Sequence, residues 1–233
     1  MRTSRAGTTR SPARTSSGSS SLVEPLARGR DADVFALDAR TVLRRYRRRD
    51  VPAGEVALMR YVRERGYPAP RVLRVEGPDL VLERGTGVTM AVEITRRPWT
   101  LLRQARRLAD LHRRLHRIPA PEWLPAIGPG GAVVHLDLHP ENVLLHGRGV
   151  LVIDWANARA GHWADDVAQT LVILAGADLP RRTRLLVRAF LAAYLAGFDR
   201  ATVRAHLPAA IARRMADPNM TARERELIPR VTL

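Results

Sequence analysis

Residues 133–145, VVHLDLHPENVLL, set two apolar runs on either side of a short segment holding two histidines, an aspartate, a proline, a glutamate and an asparagine. Apolar runs of this length bounded by turn formers read as buried strands, so the polar segment between them must be carried on a loop. A further apolar run, GVLVIDWANA, ends in polar residues beginning with Asp154, and HGRG joins it to the preceding run with the composition of a tight hairpin turn. The hairpin brings Asp154 back beside Asn142. Any fold compatible with this stretch gathers several oxygen- and nitrogen-bearing side chains at one end of a small, otherwise apolar element.

Upstream, DVFAL and TVLRRY are two β-like runs separated by DAR, the spacing of a hairpin. In PAGEVALMRYVRERGYPAP, Pro52 opens a helix, Val56, Met59 and Val62 recur at helical spacing, and Gly66 and Pro68 close it. RVLRVEG and DLVLERG form a second hairpin through Gly77-Pro78, and GTGV reads as a flexible joint. From Pro98 the pattern changes: Leu101, Ala105, Leu108, Leu111, Leu115 and Ile118 fall on one stripe with arginines opposite, a long amphipathic helix. Further helical patterns cover about 164–176, 181–197 and 202–216, and Thr221 with Glu224 three residues on marks another helix start. The order of elements predicts an α+β chain: a small antiparallel sheet with one helix over 22–84, a linker over 85–97, and a larger, mostly helical lobe over 98–233. Residues 1–21, basic and rich in Ser and Thr without an apolar segment, read as a disordered tail rather than a secretory signal.

Charge raises the question of nucleic acid. The formal net charge is +16, and all 39 basic residues are arginine. Such a surface can bind phosphate backbones. Arg103, Arg106, Arg107, Arg113 and Arg114, however, lie on the polar face of the long helix, which favours a solvated arginine face over a nucleic-acid surface. No apolar run approaches the roughly 18 residues needed to span a bilayer. The absence of cysteine excludes disulfides and thiolate chemistry and fits a reducing cytoplasm.

The polar segment admits three chemistries. His135, Asp137 and His139 stand at alternate positions and offer zinc ligands, although Pro140 and the lack of further histidines count against that site. The same residues suit a hydrogen-bonded structural turn. Phosphoryl transfer needs a carboxylate to accept a hydroxyl proton, and an asparagine and an aspartate to hold magnesium. Asp137 and Asn142 have the D-x-x-x-x-N spacing for that, with Asp154 the second oxygen ligand. His112 and His116, one helical turn apart, form another possible metal pair, but no third ligand completes it, which favours a structural role.

In HLDLHPENVLL, VIDWANARAGHWADDVA and LADLHRRLHRIPAP the chain resembles the aminoglycoside phosphotransferase and choline kinase family, which has a protein-kinase-like fold. The resemblance covers nearly everything after the tail. It implies Asp137 as catalytic base, Asn142 and Asp154 as magnesium ligands, Asp166 as a buried brace of the catalytic loop, and His135 as a packing and hydrogen-bonding residue. It also implies ATP bound between the lobes. By the same resemblance, GRDADVFAL with Gly29 is all that represents the family's glycine-rich phosphate cover, Arg44 would stand where the family carries a lysine, with Glu55 its partner, and Glu83 would form the hinge against adenine. Arg45 is the runner-up to Arg44, since alternate residues of a strand point to opposite faces. Guanidinium is not equivalent to ammonium, but in a chain without lysine the replacement is read as tolerated. The resemblance thus implies an ATP- and magnesium-dependent transfer to a small-molecule hydroxyl. A nucleotide-binding module without transfer, or a basic nucleic-acid binder, are the alternatives.

Overall fold

The computed structural model describes residues 24–233 except Arg30, Arg148 and Asn219, so the expected tail over 1–21 lies outside the described residues. Strands β1 (Ala27–Arg28), β2 (Ala32–Ala36), β3 (Thr41–Tyr46), β4 (Val72–Glu76) and β5 (Asp79–Glu83) form one antiparallel sheet in the order β1-β2-β3-β5-β4. The hairpin between β2 and β3 closes on the Asp38 carboxylate, which accepts the N–H groups of Arg40 and Thr41 at 2.6 and 2.8 Å. Helix α1 (Ala53–Glu64) follows Pro52 as expected, buries Val56, Met59 and Val62, and ends where Gly66 takes φ +78°.

The segment between the lobes departs from the sequence expectation twice. It is not a bare linker over 85–97: α2 (Met90–Arg96) forms there, capped by the Thr89 side chain accepting from the Val92 N–H. Nor are the glycines of GTGV there for flexibility. A Cβ on Gly87 would come within 1.4 Å of the Leu145 carbonyl oxygen, and one on Gly85 within 2.5 Å of the Leu144 side chain. The joint is a close approach of two backbones, fastened by the Leu145 N–H donating to the Val88 carbonyl at 2.9 Å. Glycine stands there because no side chain fits.

The second lobe begins with a helical turn over Pro98–Thr100 and α3 (Leu101–Leu115), whose expected apolar stripe is buried. Two small antiparallel pairs follow: β6 (Ala132–Val134) with β9 (Arg159–Gly161), and β7 (Val143–His146) with β8 (Gly149–Val152). Helices α4 (Trp163–Gly176), α5 (Arg181–Leu195), α6 (Arg200–Met215) and α7 (Ala222–Leu227) complete the chain. The β6–β9 pairing has no signature in the sequence, because each strand is only three residues long. The Thr221–Glu224 capping box forms as read. Helix α4 is the central strut, packed on α6, while α3 packs on α5. Val167, Leu171 and Val172 of α4 are buried, and each such side chain contributes about 1.5–3 kcal/mol relative to exposure. The α+β, two-lobed reading of the sequence is the architecture observed, and no helix among the described residues is long and apolar enough to cross a membrane.

Candidate active site

Strand β6 carries the chain into the polar loop, and α4 receives it. His135 and Leu136 both donate their N–H groups to the Asp166 carboxylate, at 2.9 and 2.7 Å. Leu136 has φ +61°, the left-handed region that a branched side chain rarely enters. The two-point grip of Asp166 holds that conformation in place. Nε2 of His116 lies 3.0 Å from the same carboxylate and, facing an acceptor, donates to it. Burial works against the Asp166 charge, but the His116 hydrogen bond and the nearby His112 and His135 rings outweigh it and hold the carboxyl well below the usual carboxylate range. The resemblance implied this bracing role for Asp166; His116 had been read only as structural and turns out to be its partner.

Beyond this turn, Asp137 is partly exposed. Asn142 donates from Nδ2 to the Asp137 backbone carbonyl at 2.8 Å and to its Oδ2 at 3.1 Å. His139 stands with Nε2 3.5 Å from Asp137 Oδ1. Its Nδ1 accepts from the Glu141 N–H at 3.4 Å, and its Nε2 also lies 3.3 Å from Asn142 Nδ2. Sequence reasoning considered His139 as a zinc ligand or as part of a hydrogen-bonded turn. Its alternate spacing from Asp137 was the available signal for an orienting role.

The β7–β8 register pairs Val143 with Val152, and the Ile153 N–H donates to the Asn142 carbonyl at 3.0 Å, so Asp154 emerges beside Asn142. Asp154 has φ +64°, a conformation aspartate tolerates better than most residues. Across from it, Arg44 on β3 forks between the lobes, with Nη1 2.8 Å from Glu55 Oε1 and Nη2 3.1 Å from Asp154 Oδ1. Burial disfavours the Arg44 charge, but Glu55 and Asp154 more than restore it, raising its pKa. Arg45 points to the opposite face and pairs with Asp79 through two contacts of 2.6 Å, so Arg44 is the arginine that faces the cleft. Tyr46, two residues along the same face, donates its hydroxyl to the other Glu55 oxygen. Nothing in the sequence had singled it out, although its i+2 spacing from Arg44 was there to be read.

Other expected residues lie elsewhere. The Glu83 carboxylate is 3.0 Å from Arg63 and accepts the Arg71 N–H at 3.1 Å, and its own N–H donates to the Arg71 carbonyl. It fastens β5 to the chain entering β4 and is not gathered with Asp137, Asn142 and Asp154. Gly29 sits in the exposed β1–β2 turn, where a Cβ would meet the Ala32 carbonyl oxygen at 2.9 Å. His135 requires a correction. Its ring is fully buried against Trp155, with centroids 4.7 Å apart, and its backbone N–H bonds to Asp166, but among the described residues neither ring nitrogen has a hydrogen-bond partner. The zinc reading ends there: a ring sealed behind Trp155 cannot join Asp137 and His139, and among the described residues no group of three or more His, Cys, Asp or Glu is arranged to hold a metal.

His112, also fully buried, places Nδ1 3.1 Å from the Leu108 carbonyl and Nε2 3.3 Å from Thr170 Oγ1. Burial pushes its pKa down to about 4, with nearby Asp166 opposing the shift. An unfolded chain carries an ordinary histidine near pKa ~6.5. Between those values the unfolded state binds a proton that the native state refuses, so stability is intact above about pH 6.5 and falls as the pH drops toward 4. The urea midpoint is expected to decline steadily from pH 7 to pH 5 and to do so less in His112→Gln. An unchanged midpoint across that interval would count against a neutral buried imidazole.

Residues 22–132 and 120–206 match the sequence profile of a family described as APH, phosphotransferase enzyme family. No curated protein matches the chain by sequence. Among solved structures, a thermostable mutant of aminoglycoside phosphotransferase APH(4)-Ia in ternary complex with AMP-PNP and hygromycin B is similar at TM-score 0.65 and 14% identity, covering 90% of this chain and 88% of that one. A gentamicin complex of APH(2″)-IIa gives 0.60 at 15% identity, covering 83% of each chain. The microcompartment-associated aminopropanol kinase gives 0.55 at 14% identity, covering 90% of this chain and 88% of the other. At such identities the likeness is one of fold, and function has to be argued from the site.

Proposed function

The chain belongs to the phosphotransferase enzyme family, and on that premise we propose that it transfers the γ-phosphoryl group of ATP to a hydroxyl of a small molecule, with magnesium as the metal. The observation that carries this reading is the convergence of groups far apart in sequence: Arg44 from the first lobe reaches Asp154 of the second at 3.1 Å, and Asn142 reaches Asp137 at 3.1 Å.

The donor set suits a hard cation. The Asn142 amide nitrogen faces Asp137 and His139, so its Oδ1 is left to act as an acceptor. Asp154 spends one oxygen on Arg44 and retains the other, with 43% of its side chain exposed. Magnesium takes about six oxygen ligands and keeps waters, so one amide oxygen, one carboxylate and phosphate oxygens suffice. When bound, it would neutralise charge on the transferring phosphoryl group.

The remaining steps fall to the chain itself. Arg44, anchored by Glu55 and Tyr46, presents a fixed cation at the nucleotide side of the cleft, where it offsets phosphate charge. His139 and Asn142 hold the Asp137 carboxylate from two sides, so that it receives the proton as the acceptor oxygen closes on phosphorus. The Gly29 turn and the backbone around Glu83 are the segments assigned to the phosphates and the adenine. The fixed geometry supplies most of the rate advantage through positioning.

The test begins with the wild-type protein. Its unfolding temperature should rise with Mg-ATP, the rise should vanish with EDTA, and radiolabelled ATP should transfer label to one or more compounds in a panel of hydroxylated metabolites and antibiotics. Stabilisation without transfer to any acceptor, and without slow ATP hydrolysis, would favour a nucleotide-binding module instead. Arg44 supplies a finer prediction. Arg44→Lys keeps a cation at the phosphates and should retain turnover within about tenfold, whereas Arg44→Ala should lose roughly 10²-fold or more. Equal losses in the two variants would argue against a role for the charge.

A further inference from the structure

A cavity of about 410 Å³ opens beside Asp137, between α2, the catalytic loop, α4 and α5. Its walls are Ile94 of α2, Ile173 and Leu174 of α4, and Leu186, Val187 and Phe190 of α5, with Asp137 and His139 at the reacting end. Its size falls within the range of about 300–1,000 Å³ typical of small-molecule sites. The chemistry of the wall is one-sided. Apart from Asp137, the carboxylates on it are Glu224, which pairs with Arg214 at 3.4 Å, and Glu141, which is exposed. Arg214 is itself neutralised a second time by Asp217 at 3.1 Å. The Thr95 hydroxyl donates to its own helix, at the Ala91 carbonyl. Among the described residues no cluster of unspent acids faces the space.

A polyamine-like acceptor would have to shed water from several ammonium groups against isoleucine, leucine, valine and phenylalanine, with a single rim carboxylate in return, which is strongly unfavourable. The formal charge of +16 also repels polycations at long range. An apolar body gains from the same walls by leaving water.

Resting on the phosphotransferase reading of this site, we propose that the acceptor is an uncharged alcohol with an extended apolar body, seated in the α2–α4–α5 cavity with its hydroxyl at Asp137, and that polycationic aminoglycosides are poor acceptors. In the transfer, the alcohol oxygen forms the new O–P bond. The bond from the γ-phosphorus to the β-bridging oxygen breaks with its electron pair going to ADP, and the hydroxyl proton passes to Asp137.

The experiment uses the full chain loaded with magnesium and AMP-PNP. Titration calorimetry follows the binding of 1-butanol, 1-hexanol, 1-octanol and sub-micellar octyl glucoside, with gentamicin and hygromycin B as polycations, and labelled ATP reports transfer to each. Affinity for the alkanols is expected to rise about three- to fourfold per added methylene until the cavity is full. Val187→Asp and Leu186→Asp place a charge on the wall and should each weaken octanol binding at least tenfold. Undiminished Mg-AMP-PNP binding by these variants shows that they fold. The proposal is overturned if no alcohol binds, if affinity ignores chain length or ignores both wall variants, or if a polycation is phosphorylated with higher kcat/KM than the alcohols. Mg-AMP-PNP binding by the wild type separates the two ideas: its absence sinks the phosphotransferase reading together with this one, and its presence with a polycation preference sinks this one alone.

Discussion

Asp137→Ala is expected to lower kcat for phosphoryl transfer by about 10²–10⁴-fold, the usual contribution of a positioned proton acceptor, with little change in KM for ATP. The carboxylate is partly exposed at the cavity, held by Asn142 and faced by His139, and it makes no hydrogen bond that supports the core. Folding should therefore survive its removal. Asp137→Asn is the sharper variant, because it preserves shape while removing the base. Asp154→Ala should differ in kind: it takes away a proposed metal ligand and the far partner of Arg44, so turnover should vanish along with the magnesium dependence of the thermal shift. Steady-state kinetics with the best acceptor from the panel, run beside unfolding curves, distinguish the two. Wild-type kcat in Asp137→Asn would end the assignment of that residue as base.

The largest expected loss of stability is in Asp166→Ala. That substitution leaves two buried N–H groups, of His135 and Leu136, and the His116 ring without their acceptor at once. Removing one member of a buried charged cluster typically costs about 3–5 kcal/mol, and each orphaned donor adds its own desolvation penalty. The left-handed Leu136 conformation would also lose its restraint, so activity should fall even where the variant folds. Urea denaturation measures the first effect, and kcat at a temperature well below the unfolding midpoint measures the second. A loss below about 1 kcal/mol would mean that the loop is held by other contacts.

Much of this arrangement was legible in the sequence, for identifiable reasons. The β7–β8 hairpin follows from two apolar runs and a turn four residues long, so the adjacency of Asn142 and Asp154 needed no coordinates. The α3 stripe and the α1 boundaries follow from periodicity and from Pro52 and Gly66. Less accessible were features that depend on what a residue meets rather than on its neighbours in the chain. GTGV carries the composition of a flexible joint, and only the Leu145 carbonyl lying where a Gly87 Cβ would sit reveals a packed one. Glu83 stands at the end of β5, as read, but its carboxylate is taken by Arg63 and Arg71. The family resemblance implied packing and hydrogen bonds for His135; the packing is there, against the Trp155 ring, which takes the place of side-chain partners.

The basic composition is a similar case. Arginines at 44, 45, 47, 49, 63, 213 and 214 are each engaged by a carboxylate, so these basic residues serve ion pairs within the fold, while the net charge of +16 remains after every carboxylate is counted.

By itself the sequence determined the longer helices and the hairpins, though not α2 or the β6–β9 pair, together with the division into two lobes and the placing of Asp137, Asn142 and Asp154 at one polar end of a hairpin. Those properties come from short-range periodicity and turn chemistry, which neighbouring residues fully specify. Tertiary structure alone decided that Arg44 rather than Arg45 spans the cleft, that His116 joins the Asp166 brace, that the joint is tight, and that the space beside Asp137 is walled by aliphatic side chains from three helices. Each of these depends on which faces of distant elements meet, and burial, which sets that meeting, is a property of the assembled core rather than of any one segment.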